Sequence, residues 1–248
     1  MKKQFFFTTL LLNSLLSLSA AELKVSAAAS LSDALKALAP AYEKTSGDKC
    51  VFNFGASGTL ARQIKEGAPA DLILSADQLR VDQLEKSGLL LEGTRHTLLV
   101  NTLVLVVASD SSLPLKTITD LPKLSIRSIA IGEPATVPIG TYTKEYLQKL
   151  SLWTSVSDRC VPLDTVRAVL AAVESGNAKV GFVYKTDALI SKKVRIALEI
   201  PAAEGPKITY PVAVIKASAN PESAKAFALF LQSEEASAVF KKFGFQIP

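Results

Sequence analysis

Two serines in similar settings carry the clearest chemical signal in the chain. Ser30 lies in KVSAAASLSDALKAL (Lys24–Leu38), where an apolar strand runs through three alanines before the pattern changes to a helical period. Ser57 lies in Gly55-Ala-Ser-Gly58, again between an expected strand and an expected helix, and Pro138–Gly140 and Asp164–Val166 repeat the design. First-turn N–H groups of a helix have no intrahelical partner and carry the positive end of its dipole, so turns of this kind suit an oxyanion without a counter-charge. The small residues beside each serine let a ligand approach the backbone. Taken singly, each turn is also an ordinary helix start: Ser30-Leu-Ser-Asp33 approximates a capping box, and Asp164 stands where a cap would.

Catalytic chemistry is poorly supplied. His96 is the sole histidine, and its place beside a long apolar run suggests a solvated connector. No HExxH, CxxC or GKS/GKT sequence occurs, so the signatures of a zinc protease, a thiol redox site and a nucleotide P-loop are missing. Gly55-Ala-Ser-Gly-Thr59 fails the GxSxG spacing of a nucleophile elbow, and a hydrolase built on Ser57 would have to use His96. The expectation is a binding protein, not an enzyme, with no cofactor and no cation site.

The elements that position these turns read as alternating strands and helices. Val25–Ala29, Cys50–Phe54 and Ala70–Ser75 are expected strands. Leu31, Leu35, Leu38 and Tyr42 share one helical face, Thr59–Lys65 forms a second helix, and Asp77–Lys86 a third with Leu79 and Leu84 inward. Leu98–Ala108 reads as one extended strand long enough to pass from one lobe to another. A second set follows: strands Ser128–Ile131, Cys160–Leu163 and Lys179–Tyr184, a turn over Glu133–Gly140, and helices Thr141–Leu150 (with Tyr142, Tyr146 and Leu150 stacked) and Val166–Val173. Lys207–Ile215 is the second long extended run, where Pro211 suggests an edge position or a crossing. Helices Pro221–Leu231 and Glu234–Phe243 close the chain. Such βα alternation implies largely parallel sheets with helices on both faces, and ligands in such folds sit outside the carboxyl ends of the strands.

Lys2 and Lys3, an apolar stretch over Phe5–Leu18 and Ser19-Ala20-Ala21 read as a secretory signal peptide over 1–21. No cysteine lies near that cleavage site, which argues against lipid attachment. Without Lys2 and Lys3, the 28 basic residues become 26 against 23 acidic ones, a net charge of +3 on scattered lysines with few aromatics between them; a nucleic-acid surface is not expected. Cys50 and Cys160 open strands assigned to different lobes, so they are expected to stay unbridged despite export.

With these residues assembled, the chain from Leu23 onward resembles the periplasmic molybdate-binding proteins of ABC uptake systems. The matching stretches are VSAAASLSDAL, FGASGTLARQIKEGAPADLILSAD, VPIGTYTKEYLQKL, LDTVRAVLAAVESGNAKVGFVYKTDA, YPVAVI and FKKFGF. The resemblance implies an α/β, two-lobed class II periplasmic binding protein fold, each lobe a mostly parallel sheet flanked by helices. Lobe I would take 22–100 and 210–248, and lobe II 101–209, with two hinge crossings between them. It implies one tetrahedral oxyanion, molybdate or tungstate, held in the cleft by Ser30 and Ser57 (hydroxyl and N–H each), the backbone N–H groups of Ile139 and Val166, and the Tyr184 hydroxyl. It further implies a periplasmic monomer whose partner is an ABC permease. By residue type alone, Ser57 is equally a cap, Val166 a core residue and Tyr184 a strand end with a solvated hydroxyl. The family can carry alanine at the position of Ile139 and more serine around Ser57, where Ala56 and Gly58 stand here. A sulfate receptor is the nearest alternative; a sensory effector domain would lack its DNA-binding segment.

Overall fold

The computed structural model describes residues 20–248; of the expected signal segment, all but Ala20 and Ala21 lie outside the described residues. The first half of the fold runs β1 (Glu22–Ala28), α1 (Ser32–Ser46), β2 (Lys49–Gly55), α2 (Ser57–Lys65), β3 (Leu72–Leu74), α3 (Gln78–Lys86) and β4 (His96–Asn101). The second runs β5 (Leu103–Ala108), β6 (Ile129–Gly132), α4 (Pro138–Lys149), α5 (Trp153–Val156), β7 (Cys160–Leu163), α6 (Val166–Glu174), β8 (Val180–Tyr184), α7 (Lys185–Leu189) and β9 (Val194–Glu199). The chain then returns through β10 (Ile208–Val214) to α8 (Pro221–Phe230) and α9 (Glu234–Lys242).

Two five-stranded sheets result, ordered β2-β1-β3-β10-β4 and β7-β6-β8-β5-β9. In the first, β1 pairs in parallel with β2 and β3, while β10 is antiparallel to β3 and β4. In the second, β6 pairs in parallel with β7 and β8, while β5 is antiparallel to β8 and β9. Each sheet is therefore mixed, with a single strand running against the other four. That reversed strand is in each case the first one reached after the chain changes sheets.

The changes of sheet fall at two places. The run expected as one strand over Leu98–Ala108 is two strands in different sheets, parted at Thr102, whose N–H donates to the Asn101 side chain at 2.9 Å. The return occurs between Glu199 and Ile208, and Asn101, Ile208 and Thr209 all pair in the first sheet. Pro211 lies in an inner strand, not at an edge. A register shift between Tyr210 and Pro211 absorbs its missing donor, as a bulge does.

Several helix starts differ from expectation. α2 begins at Ser57 and α4 at Pro138, where proline's fixed φ suits the first helical position. Thr165, not Asp164, caps α6, accepting from the Ala168 N–H at 3.1 Å. β9 was not anticipated, because its half-buried VRIALE run lacks a clean alternation. Leu79 and Leu150 point outward, and α3 instead packs inward through Val81 and Leu84. Hydrophobic burial fills both lobes, with Leu23, Leu31 and Leu35 fully inside in the first and Val104, Ile129 and Phe182 in the second.

Cys50 and Cys160 are free thiols in different sheets. Burial pushes Cys50 up to about 12 and Cys160 up to about 11, so neither is a thiolate at neutral pH. Non-reducing mass analysis is expected to find two free thiols, and reductant to leave the thermal unfolding curve unchanged. No helix among the described residues is long and apolar enough to cross a membrane.

Candidate functional site

Strand register brings the two serines together. Ala28 and Gly55 are the last paired residues of β1 and β2, so the chains leaving that edge place Ser30 and Ser57 at one mouth, beside Ala76 beyond the end of β3. Across from them, the ends of β6, β7 and β8 deliver Pro138, Val166 and Tyr184. The resulting pocket is lined by Ser30, Ser57, Val166 and Tyr184 together with small or apolar neighbours, and no lining side chain is charged. Ile139 is fully buried one residue inside α4, next to the lining Pro138; its place in the first helical turn is what matters for a backbone donor. That turn is pressed against β6: a Cβ at Gly140 would lie 2.0 Å from the Gly132 carbonyl oxygen, so only glycine allows the approach.

The serines do not cap their helices. Ser30 sits in a 3-10 turn (Ala29–Leu31) that leads directly into α1. Its neighbour Leu31 already has helical angles, so no extended cap residue exists, and Asp33 is committed elsewhere. The Ser30 hydroxyl instead lies 3.0 Å from that of Tyr210. Ser57 is fully buried and its Oγ accepts the Ala76 N–H at 2.9 Å. Tyr184 is 1 % exposed, and its hydroxyl has no hydrogen-bond partner among the described residues. Burial raises the Tyr184 pKa well above the ordinary phenol range, so the group is a proton donor at any physiological pH. An unpaired buried hydroxyl is costly, and Tyr184 lines the pocket where these helix starts meet.

Contacts across the cleft hold the lobes shut on both sides of this pocket. On one side the Gly58 N–H donates to the Thr136 carbonyl at 3.0 Å and Arg80 Nη2 to the Ala135 carbonyl at 2.8 Å. On the other, Arg167 Nη2 reaches Asp33 Oδ2 at 2.7 Å and the Ser30 carbonyl at 3.4 Å. Arg167 Nε also pairs with Asp187 Oδ1 at 2.8 Å. Asp187 is fully buried; that burial, opposed by the Arg167 charge and reinforced by Asp33, pushes its carboxyl up to about 7. The positive charges thus lie behind the pocket wall and are spent on carboxylates and carbonyls.

The arrangement offers hydroxyl and N–H donors and no carboxylate among its lining residues, which suits an anion that carries no proton. It offers no catalytic pair: His96 is half-buried with Nδ1 against the Thr94 carbonyl at 3.2 Å, while the Ser57 Oγ faces Ala76. Burial lowers the His96 pKa, so the ring is a neutral part of the fold, not the solvated connector expected. No group of three or more His, Cys, Asp or Glu residues able to hold a metal ion occurs among the described residues.

Residues 23–246 match the family described as bacterial extracellular solute-binding protein. The chain belongs to that family. Among solute-binding relatives, the molybdate-binding protein ModA of Escherichia coli K12 is 41 % identical over 232 residues, covering 91 % of this chain and 89 % of its own. YvgL of Bacillus subtilis, whose name includes the words ABC transporter substrate-binding lipoprotein, is 42 % identical over 224 residues, covering 90 % of this chain and 85 % of its own. The solved periplasmic molybdate-binding protein of Azotobacter vinelandii superposes with a TM-score of 0.81 at 26 % identity, covering 91 % of this chain and 99 % of the other. The solute-binding family accounts for the architecture: two α/β lobes of the periplasmic binding protein fold around a cleft. Sequence reasoning did not find Gly58, Arg80, Arg167, Tyr210 or Asn101. Gly58 alone had a visible signal, as a glycine directly after a candidate binding serine.

Proposed function

We propose that this chain captures molybdate, and tungstate with it, between its lobes and delivers it to the permease of an ABC transporter. The observation that carries the reading is the Tyr184 hydroxyl, buried without a partner among the described residues in a tyrosine that lines a pocket formed by the starts of α2, α4 and α6 and the turn holding Ser30. Ser30 and Ser57 supply hydroxyl and N–H from lobe I; the N–H groups of Ile139 and Val166 and the Tyr184 phenol supply lobe II, roughly seven donors in all. The lobes, meeting at the crossings near Thr102 and between Glu199 and Ile208, swing closed over the anion, and the closed surface is what the permease reads. A relative named for molybdate at 41 % identity supports this choice of anion.

Hydrogen bonds to a charged group contribute about 1.5–3 kcal/mol each, opposed by desolvation of the anion and ordering of the lobes. A dissociation constant of about 1 μM or tighter is therefore expected. Calorimetric titration with molybdate, tungstate, sulfate and phosphate tests the proposal. Tight binding of the first two, with phosphate disfavoured because its proton meets no carboxylate, is the expected order. Binding of sulfate with no response to molybdate would contradict it.

A further inference from the structure

The Ser30 hydroxyl has one proton and must aim it at the anion to serve as a donor, yet it also touches a second hydroxyl, that of Tyr210, at 3.0 Å. Either oxygen can donate in that pair, so its polarity decides whether Ser30 faces the pocket as donor or as acceptor.

The answer lies two residues away, at the first crossing between lobes. The backbone N–H of Thr102 donates to Asn101 Oδ1 at 2.9 Å, and a backbone N–H can only donate. That contact fixes which end of the Asn101 amide is which. Its Nδ2 therefore faces Tyr210 Oη at 3.2 Å and Thr186 Oγ1 at 2.9 Å, and spends its two protons there. Tyr210 accepts from Asn101, and its own proton has one remaining partner, Ser30 Oγ. All four groups are buried, with Ser30 3 %, Asn101 6 %, Tyr210 1 % and Thr186 2 % exposed, so an unpaired phenol proton would be costly. Burial also holds the Tyr210 phenol far above its ordinary range, keeping that proton in place.

We infer that Asn101 and Tyr210 are positioning residues that set the polarity of the Ser30 hydroxyl, through the relay Thr102 N–H to Asn101, Asn101 to Tyr210 and Tyr210 to Ser30, so that the Ser30 proton points at the bound anion. Ser57 reaches the same state by one contact, since its Oγ already accepts the Ala76 N–H. Each serine hydroxyl thereby has one lone pair filled by a protein donor and its proton left for the anion, so a protonated oxyanion meets hydroxyl protons first and no carboxylate to take its own. The relay also joins the ligand to the moving parts: Asn101 ends β4 at one crossing, Tyr210 follows the other, and Thr186 belongs to lobe II.

The inference rests on the site reading above, and a double-mutant cycle separates the two. Molybdate affinity is measured by calorimetry for wild type, Ser30→Ala, Tyr210→Phe and the double variant. If Tyr210 acts through Ser30, Tyr210→Phe alone weakens binding about 5- to 10-fold, the loss of one neutral hydrogen bond. Added to Ser30→Ala, it costs less than about twofold more, because its target is gone. The ratio of molybdate to phosphate affinity also falls in Tyr210→Phe, where Ser30 is free to accept; a purely structural role would weaken both anions alike. Equal losses in both backgrounds, or no loss in Tyr210→Phe, overturn the relay while leaving the site intact. An unchanged affinity in Ser30→Ala overturns the site reading itself. Neutron diffraction of the deuterated wild-type protein with molybdate needs no variant: the relay requires the Tyr210 deuteron on the line to Ser30 Oγ, and a Ser30 deuteron pointing at Tyr210 refutes it.

Discussion

Gly58→Ala is expected to lower oxyanion affinity roughly 5- to 150-fold while leaving the ligand-free protein as stable as before or slightly more so. A Cβ built at Gly58 lies 2.5 Å from the Thr136 carbonyl oxygen and 2.9 Å from its Cα, both backbone atoms of the opposite lobe that no rotamer change moves aside. Forcing a methyl into such a contact costs about 1–3 kcal/mol, and here the cost falls on the closed state alone. In an open cleft the same methyl meets no opposite lobe. Gly58 also lies in the first turn of α2, where alanine is a better helix former by up to about 1 kcal/mol. Affinity and thermal stability should therefore move apart, with calorimetry and thermal unfolding read on the same sample. A variant that loses stability in step with affinity would mean that Gly58 is needed for folding and not for closure.

Tyr184→Phe is expected to weaken molybdate binding about 10- to 100-fold, again without loss of stability. The hydroxyl is buried and has no partner among the described residues, so removing it relieves the free protein of an unsatisfied group. In the proposed complex it would donate to a dianion, and hydrogen bonds to charged groups contribute about 1.5–3 kcal/mol. The T-shaped packing of its ring against Tyr210, with centroids 5.8 Å apart, is kept by phenylalanine. A lowered unfolding temperature would show that the hydroxyl has a structural partner in solution, and unchanged affinity would remove Tyr184 from the site.

The parts of this architecture that local pattern dictates were readable in the chain. Apolar runs such as KVSAA and ADLILS, each followed by a turn and a helical period, placed β1, β2, β3 and β7 and the helices after them, KVGFVY placed β8 without its following helix, and the turns at Ser30, Ser57, Pro138 and Val166 do meet at one pocket. What escaped depends on approach between distant segments. Thr102 breaks a continuous apolar run because the chain changes sheets there, which no periodicity records. The Ser30 capping box failed because a tertiary partner, Tyr210, 180 residues away, takes the hydroxyl, and Arg167 of the other lobe takes Asp33. Tyr184 drew its specificity from resemblance, since a tyrosine ending a buried strand looks the same whether its hydroxyl meets water or a ligand.

The central claim is that neutral donors from both lobes, and no cationic side chain, hold a fully deprotonated tetrahedral anion. A crystal structure of the protein with molybdate, the metal located by its anomalous scattering, tests it most directly. The account predicts molybdenum in the pocket between the lobes, its oxygens within hydrogen-bond reach of the Ser30, Ser57 and Tyr184 hydroxyls and of the Ile139 and Val166 N–H groups. Molybdenum outside that pocket, or an oxygen ligated by Arg80 or Arg167, would contradict it.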